Sequence, residues 1–89
     1  MKIVQVSNVQ VSNVQVATVQ VFKTDVQNQK IARNIIIFLG QYFSDCRINF
    51  DLDDCDRILR IESPQGSIEE TEVRQMIARY GHQCEPLQD

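Results

Sequence analysis

Three side chains hold most of the metal-binding chemistry this sequence can offer: Cys55, His82 and Cys84. Two soft thiolates and an imidazole are the donor types that suit Cu(I) or Zn(II). They carry no strong zinc signature, because the sequence has neither a CxxC nor an HxxxH spacing. Asp51, Asp53, Asp54 and Asp56 add a run of carboxylates, the donors that harder ions prefer. The run lacks the length, the glycine and the closing glutamate of an EF-hand loop. It is expected to end a strand, to form Asx turns and to stay solvated. Each candidate metal ligand has a structural role to weigh against its chemistry. Cys84 on an alternating strand is a small buried apolar residue. Cys55 fills a hairpin end, and His82 beside a helix C-terminus is favoured there by the dipole. The single histidine has no placed serine or thiol partner, so no nucleophile and base can be paired. The sequence is read as that of a non-enzyme with no cofactor, a bound metal ion at Cys55, His82 and Cys84 being the alternative.

The elements that must position these residues follow from periodicity. The chain has 89 residues, two prolines, three glycines and 43% hydrophobic residues, the composition of one small globular unit. Its net charge of -3 supplies no basic face for nucleic acid. The longest uninterrupted apolar run, Ile35–Leu39, is too short to cross a bilayer. Gln, Ser and Asn interrupt the N-terminal valines too often for an export signal. The three cysteines, Cys46, Cys55 and Cys84, are an odd number with irregular spacing, which points to reduced thiols and a cytoplasmic location.

The first 18 residues stand apart from the rest. Val4-Gln5-Val6-Ser7-Asn8 recurs as Val9-Gln10-Val11-Ser12-Asn13 and as Val14-Gln15-Val16-Ala17-Thr18, followed by Val19-Gln20-Val21. A period of five is odd, so on one straight strand successive valine pairs would point to opposite faces. Nearly identical units also leave register weakly specified. Val-Gln alternation with almost no charge suits edge-to-edge strand pairing. Residues 1–18 are therefore read as a β-prone extension, either poorly paired and without a role or able to self-associate, and residues 19–89 as the folded domain.

Within that domain Val19–Lys23 reads as a strand. A helix follows over 26–43, from the spacing of Ile31, Ile35, Phe38, Leu39, Tyr42 and Phe43, with Asp25 or Asn28 as its cap. Cys46, Ile48, Phe50 and Leu52 alternate with polar residues as a half-buried strand, and residues 57–62 return as its hairpin partner. Ser67 and Glu70 frame a capping box for a second helix that buries Ile68, Val73, Met76, Ile77 and Tyr80. Gly81 stops that helix. Residues 82–87 form a last edge strand containing Pro86. The order βαββαβ predicts an α+β, ferredoxin-like fold: an antiparallel sheet of order 4-1-3-2 with two helices on one face, preceded by the Val-Gln repeat. The first strand exit, the hairpin turn and the approach to the last strand then share one pole. Asp25, the Asp53–Asp56 turn and His82 to Cys84 are thereby brought to the same end.

Three stretches resemble heavy-metal-associated domains, the ferredoxin-like modules of copper chaperones and metal-transporting ATPases. They are Val21-Phe22-Lys23-Thr24-Asp25-Val26, then Ile48 to Ile61 across the hairpin, and Tyr80-Gly81-His82-Gln83-Cys84-Glu85. The likeness is closer to short bacterial relatives that lack the metal motif, and it covers about residues 19–88. Metal-carrying members place two thiols, as CxxC, in the first strand-to-helix loop. Here that loop is Thr24-Asp25-Val26-Gln27-Asn28-Gln29. The resemblance thus implies the fold and not copper handling. The expected function is a small non-catalytic cytosolic binding or assembly module of unknown ligand and unknown protein partner. The alternative is a degenerate copper or zinc carrier using Cys55, His82 and Cys84.

Overall fold

A computed structural model describes residues 17–87. The first strand, β1 (Thr18–Thr24), is rich in β-branched residues, which fit a pleated surface. Helix α1 (Gln29–Tyr42) follows, then β2 (Arg47–Asp51) and β3 (Ile58–Ser63) as a hairpin, helix α2 (Glu70–Ala78), and the short β4 (Cys84–Pro86). Neighbouring strands are antiparallel throughout. Counted from the β2 edge the sheet runs β2-β3-β1-β4, which from the β4 edge reads 4-1-3-2.

Register decides which side chains share a face. Phe22 lies across from Leu59, and Leu59 from Phe50; Gln20 lies across from Ile61, and Ile61 from Ile48. Thr24 lies across from Cys84. These residues alternate with those of the other face, so they line one side of the sheet together. The helices cover that side. Ala32, Ile35 and Leu39 of α1 and Val73, Met76 and Ile77 of α2 recur at helical spacing and close the core over Phe22, Leu59 and Ile61. The second face carries Val19, Val21 and Lys23 of β1, Arg60 and Glu62 of β3, Arg47, Asn49 and Asp51 of β2, and Glu85 of β4. Among the described residues no helix lies on it.

What stands is a small α+β fold with two helices and an antiparallel sheet. The ferredoxin-like expectation, a 4-1-3-2 sheet with two helices on one face, is corrected in how the helices are seated over the sheet and in element boundaries. Helix α1 lies against β2 and α2 against β4. The middle strands are therefore sealed by side chains reaching in from both sides. Helix α1 starts at Gln29 rather than near Val26, because the Asn28 side chain accepts from the N–H groups of Lys30 and Ile31. Val26 stays outside the helix and fully buried, its N–H bonded to the Thr24 hydroxyl.

The capping box at Ser67 and Glu70 does not form. Glu69 is the N-cap of α2 and makes no side-chain cap bond. Gln20 competes for this segment: its amide oxygen accepts from the Ile68 N–H at 2.8 Å, and its amide nitrogen donates to the Ile68 carbonyl at 3.2 Å. That two-bond clasp holds Ile68 to the sheet and keeps residues 67–69 out of the helix. Tyr80 and Tyr42, expected in the core, are 38% and 60% exposed. Tyr80 follows the last turn of α2 and packs its ring on Phe38 at 5.4 Å. The strand expected from Val19 begins at Thr18. Residues 1–16 of the N-terminal extension lie outside the described residues.

Candidate functional site

One pole of the sheet gathers the residues whose chemistry drew attention in the sequence. The C-terminal end of β1, the β2–β3 turn and the link from α2 to β4 meet there. Thr24 ties two of them together. Its backbone N–H donates to the Asp56 carbonyl at 3.0 Å, and its hydroxyl donates to the Arg57 carbonyl at 2.6 Å. The same hydroxyl accepts from Val26. With Thr24 buried, these are the partners its polar atoms need. The sequence singles out Asp25 here but not Thr24; a threonine closing a strand before a loop is the signal that points to it.

Asp25 ties in the third element. Its Oδ1 lies 3.0 Å from His82 Nδ1 and accepts the Gln83 N–H at 2.9 Å. A carboxylate can only accept, so Nδ1 carries the proton in this contact. The Asp25 carboxyl is held below its ordinary 3.8, chiefly by the Gln83 N–H, against partial burial and with help from His82. Asp25 and His82 thus clamp the entrance of β4 to the exit of β1.

The β2–β3 turn is organised by its own aspartates. Asp51 Oδ1 accepts from the Asp53 N–H at 3.2 Å, and Asp54 Oδ1 accepts from the Asp56 N–H at 2.8 Å. These are Asx-type turns. Arg57 takes a positive φ of 47° as the chain reverses, and its guanidinium donates to the Leu52 carbonyl. Cys55 sits exposed on this turn.

The proposed metal ligands are distributed as follows. Among the described residues the ligand atoms of Asp54, Cys55 and Asp56 lie within 4.8 Å of one another, a group that does not include His82 or Cys84. Cys84 faces the helix-covered side, and burial pushes its thiol up to about 12. At neutral pH Cys84 is therefore a protonated core residue in the metal-free chain, and an ion binding there would have to displace that proton. His82 is engaged by Asp25 through Nδ1. Cys46, read as a core residue at a strand start, is half-buried just before β2 and packs against the core.

Neither a family model, nor a curated protein, nor a solved structure matches the chain. The likeness to heavy-metal-associated domains rests on the residues alone. Among the described residues no helix is long and apolar enough to cross a membrane.

Proposed function

We propose that the chain is a small non-catalytic binding and assembly module, akin to metal-free relatives of heavy-metal-associated domains, that self-associates through its Val-Gln strands. The observation that carries this reading is β1 itself. Val19-Gln20-Val21 is the last unit of the repeat, and it lies in a strand at the centre of the sheet. Its glutamine faces the helices, and Val19, on the uncovered face, is 53% exposed. A Val-Gln-Val unit of this chain is therefore strand-forming in its own context, and three more precede it in the sequence. The uncovered face mixes Lys23, Arg47 and Arg60 with Asp51, Glu62 and Glu85. That balance favours a protein surface over nucleic acid. A cytoplasmic setting is part of the proposal and rests on the odd number of cysteines.

The test is the mass of the full chain in solution beside a variant lacking residues 4–16. The full chain is expected to be a dimer or larger and the shortened chain a monomer. Equal monomeric masses would end the assembly reading.

A further inference from the structure

We infer that the hollow at the pole opposite Thr24 is a site for a primary ammonium group, taken up by Ser63 and Asp45 beside the rings of Tyr42 and Phe43. The inference adds a ligand to the binding module proposed above and does not rest on its strands.

Ser63 is the residue that points there. Two polar side chains are buried among the described residues, Thr24 at 8% exposure and Ser63 at 5%. They lie at opposite ends of the sheet, since Ser63 pairs with Thr18 at the far end of β1. The Thr24 hydroxyl both donates, to the Arg57 carbonyl, and accepts, from the Val26 N–H. The Ser63 hydroxyl has no hydrogen-bond partner among the described residues. Ser63 alternates with Glu62 and shares the helix-covered side with Leu59 and Ile61. A buried hydroxyl left without a partner is costly to a fold, so something from outside the chain is expected to supply the bond.

On that side Ser63 lines a hollow of about 260 Å³. The link from α1 to β2 forms one wall, with Phe43 and Asp45, and the link from β3 to α2 forms the other, with Gln65 and Ser67. The Gln65 amide donates to the Asp45 carboxylate at 3.4 Å and ties the two walls together.

Charge and shape then define the occupant. Of the residues lining the hollow Asp45 alone is charged, and it is in no ion pair among the described residues. Its carboxylate favours a cation. Tyr42 and Phe43 line the same hollow, their rings edge to face at 4.8 Å, and aromatic rings attract an ammonium. The Ser63 oxygen asks for an N–H. A primary ammonium answers all three demands. A bare calcium ion does not, because it takes about six to eight oxygen ligands and only one carboxylate is present. A soft metal ion would find a single thiol, Cys46, and no imidazole. The volume equals that of about nine liquid waters at ~30 Å³ each. The body attached to the nitrogen is therefore short: a small alkylamine, or the end of a lysine side chain.

Amide chemical shifts of the full chain, titrated with butylamine, test the site, with butanol as the uncharged control and butyrate as the anionic one. Butylamine is expected to shift the amides of residues 42–46 and 63–68 along one saturable curve in the millimolar range, the affinity open to so few atoms. The two controls should leave them in place. Ser63→Ala is expected to raise Kd about ten-fold or more, yet to leave the denaturation midpoint unchanged or higher, because the lost hydroxyl had no partner in the fold. Asp45→Asn should raise Kd by a similar factor. Acetyl-lysine methylamide, blocked at its backbone ends, separates the two sources. Binding as tight as that of butylamine assigns the site to a lysine side chain of a partner protein, and weaker binding assigns it to a free amine. Three results overturn the proposal: no saturable shift with either amine, equal shifts with butanol or butyrate, or an Asp45→Asn chain that binds as the parent does. A Ser63→Ala chain with a lowered midpoint would show a partnered hydroxyl and overturn it as well.

Discussion

Around Thr24, polar groups from three loops find their partners within the fold: the Thr24 hydroxyl on Arg57, the Asp25 carboxylate on His82 and Gln83, and the turn aspartates on their own backbone. Along the outer side of β2, by contrast, a five-residue backbone edge faces no strand among the described residues, beside a half-apolar groove. The first region holds the residue types most often associated with chemistry, yet their bonding capacity is directed inward and fixes the geometry of the sheet's end. The second holds no reactive residue, yet among the described residues its outward backbone groups face no strand. In a fold this small, what a region can do for a partner follows from what its polar groups lack rather than from how reactive they are.

The sharpest way to break that contrast is to ask whether the thiols at the Thr24 pole behave as ligands or as structure. Cys55 is exposed and Cys84 buried. A maleimide should label Cys55 first, with Cys84 about a hundred-fold or more slower, because its labelling waits for local opening. The thiol of Cys84 rises from 9.0 to about 12 in the fold. A raised folded value means stability that is intact below pH 9.0 and is lost as pH climbs toward 12. Cys84→Ala should flatten that alkaline loss. Fast labelling of Cys84 at neutral pH would place it in an open site and reverse the argument.

Thr24→Val keeps the shape and removes the hydroxyl. The Arg57 carbonyl and the Val26 N–H then lose their partner in a buried position. The expected cost is about 1–3 kcal/mol by chemical denaturation. A change below ~0.5 kcal/mol would mean the three loops are held by the core alone. Gln20→Met makes the parallel test at the other end of β1. It removes both bonds of the clasp on Ile68, at a cost of about 1–2 kcal/mol, and the amides of residues 67–69 should gain exchange rate.

Asp25 gives a smaller effect with a defined pH window. Its carboxyl titrates below 3.8 in the fold, so the contact is fully present above that pH and is lost as pH falls below it. Asp25→Asn should therefore leave a stability gap to the parent that is constant near neutrality and closes under acid. The carboxylate is half exposed, and solvent screening keeps the gap within about 1 kcal/mol. A gap unchanged down to pH 2 would show that the clamp is not electrostatic.

Much of this was legible in the residues, and the failures share a cause. Alternation of Ile48, Asn49 and Phe50 is a local signal and marks β2; the spacing of Ile35 and Leu39 likewise marks the buried stripe of α1, to which the structure adds Ala32. Placing Asp25, the acidic turn and His82 at one pole needed only the element order. What local pattern could not supply was competition from far along the chain. Tyr42 and Tyr80 fit the helical period, but they fall where the stripe drifts off the core, and both rings end on the surface. The alternation around Cys84 marks a buried position, and its register against Thr24 puts it on the helix-covered side; Cys55, read as filling the hairpin end, is exposed instead.

Ser67 is where the local and the distant signals can be weighed directly. Ser67-Ile68-Glu69-Glu70 has the spacing of a capping box, and if that box held α2, Ser67→Ala would cost about 1 kcal/mol. In the structure α2 begins at Glu70 with no side-chain cap, and Glu70 and Glu72 complement the first-turn dipole. The Ile68 N–H, inside the would-be box, belongs to Gln20, 48 residues away in sequence. Ser67→Ala is therefore expected to change stability by less than about 0.5 kcal/mol, while Gln20→Met exceeds it. If the serine change proved the larger of the two, the clasp from β1 would be incidental, and the start of α2 would be set by its own four residues after all.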